Sequence, residues 1–201
     1  MLFRSVIKHH RHIDVGVTLA ETRHHRHQVL DAKRRRRAHA DAASRQLHRV
    51  AHIGLEPPQA TADSTQKIVL RVPHGCAGSP TVKLRVQIPE GVTGVKQQPK
   101  AGWKSAPVRG KLAAPYDEGH GQVATEGVRE AVWSGGRLGD DEYDEFAMLV
   151  RLPNRPGTQL YFPVVQECVK GLTRWIEIPE PGKSSQGAKE PAPSLRLVPR
   201  P

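Results

Sequence analysis

The chain has 201 residues, 37% of them hydrophobic, and carries a formal net charge of +11 at pH 7. This length suits one domain of ordinary size with extensions. No apolar run reaches ten residues, which excludes a transmembrane helix and a signal-peptide hydrophobic region in the sequence as it stands. The charge is uneven: residues 1–51 hold twelve Lys and Arg against four acidic residues, whereas the remaining 150 hold nineteen against sixteen. The basic character therefore belongs to the N-terminal segment.

The N-terminal segment, residues 1–51, also contains eight of the eleven histidines, including the sequence HHRH at 9–12 and again at 24–27. Without cysteines or a regular helical spacing these clusters do not define a closed metal site, and we expect a solvated, disordered extension. The alternative is a basic arm that binds nucleic acid or an anionic surface through Arg34–Arg37. Phe3 is the one Phe, Tyr or Trp residue in the segment, so such an arm lacks the aromatic side chains on which bases stack.

Alternation of apolar and polar residues, the pattern of a half-buried strand, marks QKIVLRV at 66–72 and TVKLRVQI at 81–88. We predict that these segments are neighbouring strands, joined by a loop that carries Cys76 and is too rich in Gly and Pro to continue either strand. Further strands are predicted at 91–96, 122–133, 146–152, 159–166 and 173–178. Short turn clusters separate them, and no long amphipathic helix intervenes. The pattern predicts an all-β protein with an antiparallel β-sandwich.

The composition changes again after Pro179, where Pro, Gly, Ser and Lys dominate. Such a stretch cannot bury much apolar area, so we predict a flexible tail over 181–201, with a short apolar end at 195–198. The predicted domain therefore spans 52–180.

The two cysteines, Cys76 and Cys168, are far apart in the sequence. They are too few for a thiolate zinc site, and neither belongs to a CxxC pair. If they are paired, they close a long loop and imply an oxidising compartment. The other reading is two unpaired buried thiols in a cytosolic protein.

Several segments together resemble the YcnI-like copper-binding domain family. The resemblance covers roughly 52–180 and rests on AHIGLEPPQA (51–60), KIVLRVPHGC (67–76), VQIPEGV (86–92), VWSGGRL (132–138), YDEF (143–146), FPVVQEC (162–168) and RWIEIP (174–179). It implies an exported sandwich of the cupredoxin or immunoglobulin type that binds Cu(II) and handles copper in the periplasm or outside the cell, with other copper-handling proteins as partners. It also implies a disulfide between Cys76 and Cys168, and no enzymatic activity.

In that family a signal peptide is removed, and the histidine of the AlaHis step becomes the first residue of the mature chain and the main copper ligand. Carried onto this sequence, that ligand is His52. A terminal histidine offers its α-amine and ring Nδ1 together in a six-membered chelate ring, and nitrogen donors in tetragonal geometry favour Cu(II). An internal His52 has only an amide nitrogen, which is a much poorer ligand.

Two further residues are secondary candidates for the metal site. Glu145 could neutralise part of the cupric charge and occupy an open position. Trp175 could cover one face of the site and exclude solvent. Their structural alternatives are a solvated turn for Glu145 and a core or interface position for Trp175. We assign Trp133 to the core, and Glu56 needs a chain bend to reach His52.

The sequence departs from the family before His52, because residues 1–51 are rich in Arg and His where an apolar signal region belongs, and Arg49 does not suit the cleavage rule. One hypothesis is that this leader is an out-of-frame reading of a signal-peptide region. No catalytic motif stands out. The competing functions are the basic-arm binding protein and a structural β-sandwich whose metal site is vestigial.

Overall fold

The computed structural model describes residues 52–119, 121–180, 182–183, 185 and 187–200, and all regular structure in these ranges is β. None of the described residues lies in a helix long and apolar enough to cross a membrane. The predicted leader, with its histidine clusters and its basic run, falls outside the described residues. The strands are β1 (Gly54–Glu56), β2 (Gln59–Thr61), β3 (Thr65–Val72), β4 (Thr81–Gln87), β5 (Thr93–Gln97), β6 (Lys104–Ser105), β7 (Val108–Gly119), β8 (Gln122–Leu138), β9 (Asp144–Arg151), β10 (Gln159–Tyr161), β11 (Val164–Cys168), β12 (Leu172–Trp175) and β13 (Ser194–Val198).

The described residues form three sheets. A four-stranded sheet has the order β1-β3-β9-β5, and a six-stranded sheet has the order β12-β11-β4-β8-β6 with β7 paired to β8. A three-stranded sheet, β10-β13-β2, contains a parallel pair between β13 and β2, whereas the other described pairs of named strands are antiparallel. The prediction of an all-β sandwich built mainly from antiparallel strands is confirmed.

The core lies between the sheets and follows the alternation of the strands. In the apolar parts of β3 and β9, residues 68–72 and 146–150, every second side chain is buried, and Leu70 and Phe146 are fully enclosed. Leu84 of β4 and Trp133 of β8 reach the same core from the six-stranded sheet, which confirms Trp133 as a packing residue. Burial of each such large side chain contributes about 1.5–3 kcal/mol to folding. This core fixes the strand edges on which the candidate site is built.

The prediction that segments 66–72 and 81–88 are neighbouring strands is wrong. Strand β3 pairs with β1 and β9, whereas β4 pairs with β8 and β11, so residues 73–80 cross from one sheet to the other. The turn is tight: a Cβ on Gly75 would lie 2.1 Å from the carbonyl oxygen of Ser79. Residue alternation shows which face of a strand is buried but carries no information about its partner strand.

Two other strand predictions need correction. The segment 159–166 is two strands, because the chain leaves the three-stranded sheet after β10 and enters the six-stranded sheet at β11. Pro163 lies between them, where a missing N–H costs no ladder bond. The segment predicted at 173–178 ends at Trp175. Strand β7 was not predicted, because most of its described side chains are exposed, none of them is buried, and no alternating pattern results.

The prediction of a flexible tail over 181–201 is also wrong for residues 194–198. Residues 194–198 form β13, which lies between β10 and β2, and both Leu195 and Leu197 are completely buried. The domain therefore continues to the end of β13 instead of stopping at 180. The short alternating run LRLV is enough to make a central strand because two neighbours satisfy its backbone groups.

The disulfide between Cys76 and Cys168 is present, with a Cα–Cα distance of 6.1 Å. It joins the crossover loop that follows β3 to the end of β11, and the two cysteines are 92 positions apart in the sequence. Both half-cystines are buried. The cross-link therefore ties the connection between the two large sheets to the end of β11, a strand with neighbours on both sides in the six-stranded sheet.

Replacement of Leu197 by Ala should lower the free energy of unfolding by about 2–5 kcal/mol, because it leaves a cavity beside a central strand. Urea denaturation measures the change. The matched control is Arg196→Ala on the exposed face of β13, which should stay within about 0.5 kcal/mol of the wild type. Equal stability of the two variants would mean that β13 is not part of the folded domain.

The double variant Cys76→Ser/Cys168→Ser should lose about 2–5 kcal/mol of stability, because the unfolded chain regains the freedom of a long loop. Chemical denaturation without reductant gives the difference. Adding a reductant should destabilise the wild type and leave the double variant unchanged. A wild-type protein indifferent to reductant would contradict the structural role of the cross-link.

Candidate metal site

Trp175 is the anchor of the candidate site. It ends β12, the edge strand of the six-stranded sheet, and only 4% of its surface is exposed. Its indole Nε1–H donates a hydrogen bond to Oε1 of Gln166 on the adjacent β11, at 2.9 Å. A buried indole N–H needs such a partner. The side chain is thus held in one orientation against the core.

Gln166 is one of the few fully buried polar side chains among the described residues, and each of its hydrogen-bonding groups has a partner. Its Nε2 donates to the backbone oxygen of His74 at 2.7 Å and to Oγ1 of Thr81 at 2.7 Å, while its Oε1 accepts from Trp175. We call these four residues the amide network. The network ties the crossover loop to three strands of the six-stranded sheet because its members lie on β4, β11, β12 and that loop.

Two imidazole rings lie against the indole of Trp175. The ring centroid of His52 is 5.6 Å from it at an interplanar angle of 59°, and that of His74 is 6.4 Å away at 63°. We call His52, His74 and Trp175 the ring cluster. His52 is exposed just before β1, whereas His74 is partly buried in the crossover loop. The cluster therefore lies beside β1, an edge strand of the four-stranded sheet, and β12, an edge strand of the six-stranded sheet.

The structure brings two of the three predicted metal-site residues together, His52 and Trp175. Trp175 occupies a core position and at the same time forms a wall beside His52, so the two interpretations of this residue are compatible. His74 was not predicted as part of this site, because the sequence links it to Cys76 and not to a tryptophan about a hundred residues away. The one available signal was a histidine in a loop that a disulfide would fix.

Glu145 lies apart from the ring cluster. It is exposed at the start of β9, directly across from Arg71 of β3, which is in turn across from Gly54 of β1. Two strand spacings, about 10 Å, therefore separate its backbone from β1. The Arg71 side chain reaches toward β1 instead, where its Nη1 lies 2.9 Å from Oε1 of Glu56. The sequence could not show that an arginine occupies the position between Glu145 and the N-terminal strand.

The donor groups of this region suit an open site better than a cage. The described residues contain no group of three or more His, Cys, Asp or Glu side chains that could hold a metal ion. The ring cluster offers imidazole nitrogens beside an aromatic wall, and a free amine at His52 would add a nitrogen donor from the backbone. Nitrogen donors of this kind match the preferences of Cu(II).

Comparison with known proteins places the chain in a family. The model of the family described as "Domain of unknown function (DUF1775)" matches residues 52–197, which begin at His52 and reach into β13. The chain belongs to the DUF1775 family. The match extends past residue 180, in agreement with the buried position of β13. No curated protein sequence matches this DUF1775 chain significantly.

A solved structure resembles the DUF1775 domain in fold. It is an uncharacterized protein from Nocardia farcinica described as having an immunoglobulin-like fold. The two chains share 21% identity, the similarity covers 74% of this chain and 99% of that one, and the TM-score is 0.54. The DUF1775 domain is therefore a sandwich of the immunoglobulin-like type.

Replacement of Gln166 by Leu should destabilise the domain by about 2 kcal/mol or more, because the Trp175 N–H and the other network groups stay buried without their partners. Denaturation and near-ultraviolet circular dichroism report the loss of stability and of fixed indole packing. Gln122→Leu makes the same chemical change at an exposed position and should shift stability by less than about 0.5 kcal/mol. If the two variants behaved alike, the amide network would not hold Trp175.

Proposed function

We propose that this protein, in a form whose chain begins at His52, binds Cu(II) and handles copper outside the cytoplasm. The observation that carries the proposal is the exposed imidazole of His52 beside the buried indole of Trp175. The resemblance of segments along residues 52–180 to the YcnI-like copper-binding family points to the same residue. The buried disulfide fits an oxidising compartment such as the periplasm or the extracellular space.

The two nitrogens of a terminal His52 would hold the ion. The α-amine and Nδ1 form a six-membered chelate ring with Cu(II), and both must be free of protons to bind, so acid releases the metal. Trp175 is proposed as a wall that keeps water from one side of the ion. We leave Glu145 outside the immediate ligand set, because Arg71 lies between it and β1 in the strand register.

An exposed site with few protein ligands suits transfer better than permanent storage. Open coordination positions let a partner protein offer its own donor to the ion before the first ligand leaves. The proposed role is therefore buffering or delivery of copper by ligand exchange with other copper-handling proteins, with no chemical reaction catalysed.

A fragment of residues 52–201 with a free terminal His52 should bind about one Cu(II) per chain. His52→Ala should lower the affinity by about 100-fold or more, because the imidazole donor is lost and the chelate ring cannot form. Isothermal titration calorimetry gives the affinity, and electron paramagnetic resonance (EPR) shows whether nitrogen is coordinated.

The matched control is the same fragment with one alanine added before His52, which keeps the imidazole but converts the amine to an amide. It should lose affinity to a similar extent. If both variants bound copper as tightly as the parent fragment, the N-terminal site would be ruled out.

A further inference from the structure

We infer that the open edge of β12 is a docking site for an extended strand of a partner protein that carries apolar and acidic side chains. Strand β12 is the last strand of the six-stranded sheet, and β11 is its one neighbour among the described strands. It ends at Trp175, whose indole lies beside the His52 ring. Docking itself does not depend on the proposed function, whereas its role in copper transfer rests on that function.

The hydrogen bonds of the β11–β12 hairpin determine which backbone groups of β12 face outward. At the turn, the N–H of Cys168 donates to the carbonyl oxygen of Gly171 at 3.1 Å. Hydrogen-bonded pairs alternate with non-hydrogen-bonded pairs along an antiparallel ladder, so Thr173 makes the next bonds to β11. The backbone groups of Leu172 and Arg174 therefore point away from β11.

These outward groups are available to another strand. Among the described residues, the N–H groups of Leu172 and Arg174 and the carbonyl oxygen of Leu172 have no hydrogen-bond partner, while the carbonyl oxygen of Arg174 accepts from the N–H of Ile176 at 3.0 Å. No proline or bulge interrupts β12. A row of open N–H and C=O groups at a sheet edge is a template for the addition of a strand.

The side chains around this edge are apolar to an extent that single surface residues do not explain. Half of the eight large hydrophobic side chains that are exposed among the described residues lie within 169–178, and each keeps 44% to 57% of its surface exposed. They are Val169, Leu172, Ile176 and Ile178. Clusters of this kind mark interaction surfaces, whereas scattered exposed apolar residues are common. A docked strand would cover part of this apolar surface.

The charge at the edge favours an acidic occupant. Lys170 and Arg174 are exposed and form no ion pair among the described residues, and the nearby Glu167 of β11 is already paired with Lys83 at 3.3 Å. A second copy of the chain fits less well. Two copies of β12 paired antiparallel about their centre would place their Arg174 side chains opposite or diagonal to each other, and like charges in those positions repel.

The position of the edge suits a partner that exchanges copper. Arg174 directly precedes Trp175, and the centroid of the His52 ring lies 5.6 Å from that of the Trp175 indole. A strand paired with β12 therefore lies across from the residue next to the wall of the proposed metal site. Backbone pairing would hold the partner there while its own donor group approaches the ion.

The test uses the metal-free 52–201 fragment, which contains the three sheets and the core, and two probe peptides with blocked ends, Val-Thr-Glu-Thr-Val-Thr and Val-Thr-Lys-Thr-Val-Thr. Paired antiparallel with β12, each peptide places its charged residue across from Arg174 and a valine across from Leu172. The acidic peptide should shift the NMR signals of these two amides, slow their hydrogen exchange, and bind about fivefold more tightly than the lysine peptide.

Charge reversal at the edge gives a sharper form of the test. Arg174→Glu should reverse the preference between the two peptides, whereas Arg196→Glu, the same change on the exposed face of β13, should leave it as in the parent. Unchanged amide signals of Leu172 and Arg174 with the acidic peptide would overturn the inference, and so would an unchanged preference in Arg174→Glu. Self-association of the fragment through these amides would also overturn it, because the occupant would then be a second copy.

A Cu(II) titration of the same fragment separates the inference from the proposed function. Copper binding without peptide docking would remove the inference and leave the proposed function in place. Peptide docking without copper binding would support the docking surface and remove its role in copper transfer.

Discussion

The amide of Gln166 is the interaction on which the candidate site depends. It is completely buried, and it uses Oε1 and both Nε2 hydrogens to hold the indole of Trp175, the backbone of His74 and the hydroxyl of Thr81. An apolar side chain of similar size would fill the same volume but leave these groups without partners, at about 1–3 kcal/mol each. One side chain therefore orients the aromatic wall and positions the loop that faces it.

Two constraints surround this network. On one side, the Cys76–Cys168 bridge prevents the crossover loop from moving away from β11. On the other side, β1 pairs with β3, and Ile53, between His52 and β1, is buried in the core. Glu56, at the end of β1, is exposed and forms an ion pair with Arg71 of β3. The ring cluster thus combines a rigid base with an exposed histidine.

The sequence alone predicted the strands that have a clear local alternation of apolar and polar residues. Alternation identified β3 and β4 because each buries one face, and the apolar positions of β9 were visible for the same reason. Pairing was not predictable, since β3 joins β9 from far along the chain and alternation contains no information about partners. Strand β7 lacks a buried face, and β13 is a five-residue strand after a Pro- and Gly-rich stretch. At the site, the resemblance pointed to His52, and side-chain chemistry made Trp175 a secondary candidate, whereas the approach of His74 to Trp175 depends on how the two sheets meet.

Strand β13 has a consequence for how the molecule is made. It pairs with β2, near the beginning of the domain, and inserts Leu195 and Leu197 into the core. This sheet cannot form until β13 has been synthesised, because its ladder joins strands from the two ends of the domain. Until then the core lacks both leucines, and a seam stays open beside β2. Completion of the hydrophobic interior therefore waits for the last strand of the domain.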